Sequence, residues 1–277
     1  PILIFKNCLF SLQINLRGVD IMKTSQITKY LFKRQIVILG EMYLVTFAAI
    51  YILPLLLSLI TGTLHDYSFV RILKTSPITG FFSFFMFVIA TLSYENFKFL
   101  IQNGISRKTF FEAQITVYGL FILIGNTVNL VYNYLIYTPM TNRDTFNIFM
   151  TAYAKFFSNG IITVIFNFIF SALTLVIMTL IGMTIGSFLS LFSKTWQRIL
   201  LVATPIIGGV TMIYIINALE TSSLKMTWVE HFAELILGYH RSGIYNPFPM
   251  MAFMLLISVI MLAIVRYLFS KKQLKRE

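Results

Sequence analysis

The sequence predicts an all-α, polytopic membrane protein with six transmembrane helices and cytoplasmic N- and C-termini. Three observations carry this. The chain has 277 residues, of which 57% are hydrophobic and only 12% charged, about half the charge share of a soluble domain. Six stretches, at about 40–60, 77–95, 113–136, 160–190, 199–218 and 248–269, are apolar over the roughly 20 residues that a spanning helix needs. The basic residues between them are unevenly divided.

These runs lack the alternation of barrel strands, and backbone groups in lipid must pair within their own segment, so each span is a helix. With the N-terminus inside, the inner segments carry 13 Lys and Arg residues, among them Lys29, Lys33, Arg34, Arg107, Lys108 and Arg198. The outer segments carry 6, at Arg71, Lys74, Arg143, Lys155, Lys225 and Arg241, together with five of the ten acids. Thirteen against six sets both termini in the cytoplasm, as an even number of spans requires. The net charge of +12 is scattered between apolar runs and forms no continuous face, which excludes nucleic acid as a partner. A single cysteine, Cys8, excludes an internal disulfide framework.

The chain begins at Pro1, and 1–21 holds an apolar run too short to span. Met22-Lys23 opens a segment with the character of a cytoplasmic N-terminus. The expectation is translation from Met22, with residues 1–21 an upstream extension outside the native fold and 22–277 a single transmembrane domain. Along 24–39, Ile27, Tyr30, Leu31 and Arg34 recur near helical spacing. They suit either a helix lying in the inner interface or a basic anchor that sets topology.

The inner loop between spans two and three reads Asn96–Glu112. Asn103-Gly104 is a turn signal, and Ser106 is placed to cap the third helix. Phe97, Phe99, Leu100 and Ile101 lie beyond a span and need a protein or interfacial partner. Arg107 and Lys108 make a basic tip. A plain inner loop obeying the charge rule is the alternative to a working element.

At these residues the chain resembles the ABC-2-type transporter permeases of low-GC Gram-positive bacteria. Asn103, Gly104, Ile105, Ser106, Arg107, Lys108 and Thr109, continued by Phe110 and Phe111, look like the loop that joins spans two and three in that family. The resemblance implies six spans with both termini inside, an N-terminal interfacial helix and re-entrant helices between spans five and six. It also implies that residues 97–111 couple to a separate cytoplasmic ATPase subunit. ATP and Mg would be bound by that partner, and none of this chain's residues would bind a cofactor or metal. A second permease copy, or a related chain, would complete the transporter in the bacterial cell membrane. Export is the direction implied.

No G-x-x-x-x-G-K-[ST] phosphate loop occurs in the sequence, which fits a chain that does not itself hold ATP phosphates and is no enzyme. His231 with Glu230 and Glu234 is an incomplete ligand set on what reads as an exposed helix face. Leu224, Trp228, Phe232, Leu235 and Ile236 form the apolar stripe of an amphipathic helix in the outer segment 219–247. The resemblance makes that segment a re-entrant gate; without it, the segment is an amphipathic loop.

Asn126, Asn129 and Asn133 share one face of span three, and Asn167 in span four is a possible partner. Amides are costly against lipid, so this face looks onto a translocation path or makes interhelical hydrogen bonds. Gly182, Gly186 and Ser190 place small residues four apart, the pattern of close helix packing within a subunit or between two copies. Pro54 and Pro205 with Gly208-Gly209 mark kinks in spans one and five. Two other classes fit the composition. One is an ion-gradient transporter, disfavoured because the spans lack intramembrane acids. The other is a non-transporting immunity or sensor subunit.

Overall fold

The computed structural model describes residues 2–75, 78–141, 147–193, 227–239 and 244–272, with isolated helical positions at 196, 199, 210, 214 and 217. The regular structure among the described residues is helical. Four helices are long and apolar enough to cross a membrane, or five if one bent pair counts as a span. The fifth expected span, 199–218, with Pro205 and Gly208-Gly209, lies almost wholly outside the described residues.

The first helix, α1 (Ile2–Phe47), passes through a π-helical turn at Ala48–Ile52 into α2 (Leu53–Ile60). Pro54 has no N–H to donate to the carbonyl of Ile50, and its ring crowds that carbonyl. The helix responds by widening one turn and not by ending. Residues 24–60 are therefore one rod. The interfacial helix that the resemblance implies is not separated from the first span by any turn. Ile27 and Leu31 on the expected stripe are buried, and Ile38 and Met42 continue the same buried face. The expected extension 2–21 belongs to the same helix.

Next come α3 (Phe69–Thr75), α4 (Phe82–Thr91) and α5 (Tyr94–Gln102). Within the expected second span, 77–95, the chain bends by 41° between α4 and α5. Helix α6 (Arg107–Tyr132) continues through a π-helical turn at Asn133–Tyr137 into the short α7 (Thr138–Thr141). After α8 (Ile148–Ala152) comes α9 (Gly160–Leu189), then α10 (Thr227–Leu237) and α11 (Pro247–Lys271).

Helix α9 is the hub of the bundle, packing against α4, α6 and α11, while α1 lies along α6 and α4. The approach of α9 to α4 is close. A Cβ on Gly182 would collide with the carbonyl oxygen of Phe87, and one on Gly186 with that of Thr91. Both glycines thus join helices within the subunit. Ser190 has another role: its Oγ donates to the carbonyl of Ser187 at 2.6 Å, at the end of α9.

Two apolar clusters divide the core. The larger is built on Leu31, Met86, Phe97, Phe110, Phe121 and Met183. The smaller, of Phe149, Tyr153, Phe170 and Met254, lies toward the other end of the helices. Outward-facing side chains include Leu44, Ile60, Val128, Ile161, Leu255 and Val259, all exposed. So much apolar surface on every long helix is what contact with lipid tails requires.

Candidate functional site

The loop between α5 and α6 is a rigid tip. Asn103 ends α5, its Nδ2 donating to the carbonyl of Phe99 at 2.7 Å. Gly104 follows at φ +79°, the left-handed conformation that glycine reaches without steric cost. The N–H groups of Gly104 and Ile105 return to the carbonyls of Ile101 and Leu100 at 3.0 and 3.1 Å, closing the helix end. Ser106 caps α6, its Oγ accepting from the Thr109 N–H at 3.1 Å and pairing with Thr109 Oγ1 at 2.7 Å. Ile105 and Thr109 are half-buried, while Asn103, Gly104, Ser106, Arg107 and Lys108 are exposed.

The apolar residues around this tip find their partners within the chain. Phe97 is fully buried, its ring centroid 5.5 Å from that of Phe110 and 6.4 Å from that of Phe269 on α11. Phe110 and Phe111 contact Phe269 as well, at 6.0 and 5.3 Å. Leu100 is buried, and the more exposed Phe99 stacks on Tyr30 of α1 at 5.9 Å. Leu100 therefore needs no outside partner, while Phe99 remains partly exposed.

Arg107 and Lys108 divide the work of the basic tip. Arg107 Nη1 donates to the carbonyl of Ser270 at 2.8 Å and so ties the loop to the end of α11. Lys108 points outward with its side chain 79% exposed, and its 3.9 Å approach to Glu112 across one helical turn is weak.

Beside this tie sits Lys272, completely buried just after α11. Its Nζ lies over the rings of Phe269, Phe97 and Tyr94, at 4.6, 4.8 and 5.4 Å from their centroids. It has no hydrogen-bond acceptor among the described residues. Ring faces attract an ammonium, but burial away from water opposes the charge more strongly. Desolvation lowers its pKa from 10.5 to about 7. No spacing rule points to Lys272, because its partners come from residues some 175 positions earlier as well as from its own helix.

Toward the other end of the bundle, the asparagines meet. Asn126 and Asn129 of α6 and Asn133 of the π-helical turn that follows it line one cavity with Asn167 of α9, Asn147 just before α8 and Ser83 of α4. Its volume is about 330 Å³. Three of the amides are already engaged. Asn126 Nδ2 donates to the carbonyl of Phe168 at 2.9 Å. Asn147 Nδ2 donates to Asn167 Oδ1 at 2.8 Å, and Asn147 Oδ1 accepts from the Met150 N–H at 2.9 Å. Asn129, Asn133 and Ser83 have no side-chain partner among the described residues. The expected pairing of the α6 stripe with Asn167 thus takes the form of a shared cavity. Asn147 is the member that helical spacing does not reveal; its signal is the helix cap it forms.

Helix α10 covers only part of the expected outer segment. Phe232 and Leu235 on its apolar stripe are exposed, Ile236 is half-buried, and Phe232 reaches Phe253 of α11 at 6.4 Å. Gly238, at φ +66°, closes the helix, and its carbonyl accepts from the Asn246 N–H at 2.9 Å. His231 Nδ1 lies 3.4 Å from Glu234 Oε2 on the exposed face. Comparison with protein-family models, with curated proteins and with solved structures finds no match.

Proposed function

We propose that this chain is the membrane-spanning permease subunit of an ATP-driven, ABC-2-like exporter in the bacterial cytoplasmic membrane. In this reading the Gly104 end of the bundle is cytoplasmic and both termini lie inside. Residues 103–109 meet a separate ATPase subunit, and a second permease, identical or related, completes the transporter. Chemistry stays on the partner, which holds ATP and Mg.

The observation that carries the reading is the mechanical wiring of the loop. A lever must present an accessible tip and must be stiffly joined to what it moves. Here Asn103, Ser106 and Lys108 are exposed, while Phe97 and Phe110 lock the base of the loop to Phe269 of α11. Arg107 adds the hydrogen bond to Ser270, and Phe99 reaches α1 through Tyr30. A push on the tip is therefore delivered to α1, α6 and α11 together. Because packed elements shift as bodies between discrete arrangements, closure of the ATPases can rock these helices against the α4–α9 pair. The asparagine-lined cavity between α4, α6 and α9 lies on that boundary, where rocking changes access to it.

The test is Lys108→Glu in the permease–ATPase complex. Among the described residues Lys108 makes no ion pair or hydrogen bond beyond its weak contact with Glu112, so the bundle should keep its thermal stability. Cargo-stimulated ATP hydrolysis should fall at least tenfold while basal hydrolysis persists. Unchanged stimulation would overturn the coupling role of the loop.

A further inference from the structure

We infer that the cavity between α4, α6 and α9 is a binding site for a neutral sugar ring. Four features select this chemistry. Among the described residues the lining holds no acid, no lysine, no arginine and no histidine, so these walls offer an ion no countercharge, and burying an unpaired ion is costly. Among the described residues, the side chains of Asn129, Asn133 and Ser83 have no hydrogen-bond partner and so offer donors and acceptors there. An amide or hydroxyl that both donates and accepts matches a sugar hydroxyl, which does the same. Phe149 and Phe170, buried with their rings 5.5 Å apart, form an apolar wall behind these polar groups, and an apolar wall suits the C–H edge of a sugar. The volume of about 330 Å³ is at the low end for ligand pockets, which suits a single ring better than an extended chain.

The same positions indicate where the ring comes from. Asn167 lies seven residues from the start of α9 at Gly160, about 10 Å along the helix at roughly 1.5 Å per residue. That places the cavity nearer the end of α9 than its middle. The sugar is then either the headgroup of a membrane glycolipid or a soluble sugar entering from the aqueous side. Naming this ligand as cargo rests on the permease reading; its binding does not, and it can be measured on the isolated chain without an ATPase.

The experiment places the full-length chain in phosphatidylcholine nanodiscs and titrates it with octyl glucoside, octyl tetraethylene glycol ether and D-glucose. Octyl glucoside should bind at least tenfold more tightly than the ether, which has a matched alkyl chain and no sugar ring. Asn129→Leu with Asn133→Leu should remove that preference. If the double variant does not insert, Ser83→Ala removes one cavity hydroxyl with little change in packing and should reduce the preference severalfold. Failure of D-glucose to compete would identify the glycolipid source, and competition the soluble one; both support the site. Equal binding of glucoside and ether, or a preference unchanged in every inserted variant, would overturn it. Such a failure would leave the Lys108→Glu result untouched, so the two readings fail separately.

Discussion

Arg107 Nη1 reaches the carbonyl oxygen of Ser270 at 2.8 Å, joining residues 163 positions apart. The loop between α5 and α6 is thereby fastened to the end of the last helix. On the proposed permease reading this loop is cytoplasmic, where an arginine would ordinarily be explained by the positive-inside rule alone. Here its guanidinium satisfies one of the carbonyls that a helix leaves unpaired at its C-terminus, where positive charge also complements the helix dipole.

Replacing Arg107 with alanine should therefore loosen α11 at its end. The bond is exposed, so the cost should be about 1 kcal/mol. Hydrogen exchange across residues 264–271 should accelerate in Arg107→Ala, with the rest of α11 unchanged. Uniform exchange along the helix in both proteins would show that the bond carries no load.

The buried Lys272 makes docking of the C-terminal end depend on pH. Its docked pKa is held down to about 7 by desolvation, below its ordinary 10.5. Between these values the undocked state binds more protons than the docked one, so docking strengthens as pH rises through that window. Below about pH 7 both states are charged and the penalty is complete. Protection of residues 266–271 against hydrogen exchange, corrected for the intrinsic rate, should increase from pH 7 to pH 10. Lys272→Met should be protected more strongly at pH 7 and show a flat profile. A wild-type profile that is flat or falls with pH would contradict the burial of the amine.

The α4–α9 contact predicts a sharp contrast among glycines. Gly186→Val would drive a side chain into the Thr91 carbonyl, and overpacking of this kind costs about 1–3 kcal/mol or more where backbone must yield. Gly119→Ala, on α6, meets nothing within 4 Å and gains about 0.5–1 kcal/mol of helix propensity. Thermal unfolding in one detergent should order the proteins Gly119→Ala, wild type, Gly186→Val.

Phe97 and Phe99 are near neighbours in sequence with opposite fates. Phe97 is buried among Phe110 and Phe269, whereas Phe99 is 48% exposed. Phe97→Ala should cost about 3–5 kcal/mol as a core truncation. Phe99→Ala should cost far less, losing its stacking on Tyr30. Equal losses of thermal stability would show that the aromatic cluster does not anchor the loop.

Where local signals were strong, the sequence foretold the elements closely. Helix α9 was expected over 160–190 and runs Gly160–Leu189, because a long apolar run is bounded by Asn159, whose side chain caps it. Ser106 caps α6 as its position suggested. The expected second span gave no sign of its 41° bend, since apolar composition continues across Leu92. The run 24–39 suited either a helix lying in the inner interface or a basic anchor, and its buried face through Leu31 and Gln35 continues into the first long helix without a turn. The asparagine stripe was visible as a helical period, but the cavity was not, because Asn147 and Ser83 reach it from other elements. The cage around Lys272 was invisible for the same reason: tertiary contact assembles it, and no local pattern encodes it.

Lys108 offers the most direct measurement. With Cys8 replaced by serine and Lys108 by cysteine, a photoactivatable crosslinker at position 108 would be triggered in native membranes and its products identified by mass. Capture of an ATPase bearing a phosphate-binding loop, at levels raised by a non-hydrolysable ATP analogue, is the expected result. Labelling confined to lipid and to this chain itself, with or without nucleotide, would contradict the coupling of this bundle to an ATP-driven partner.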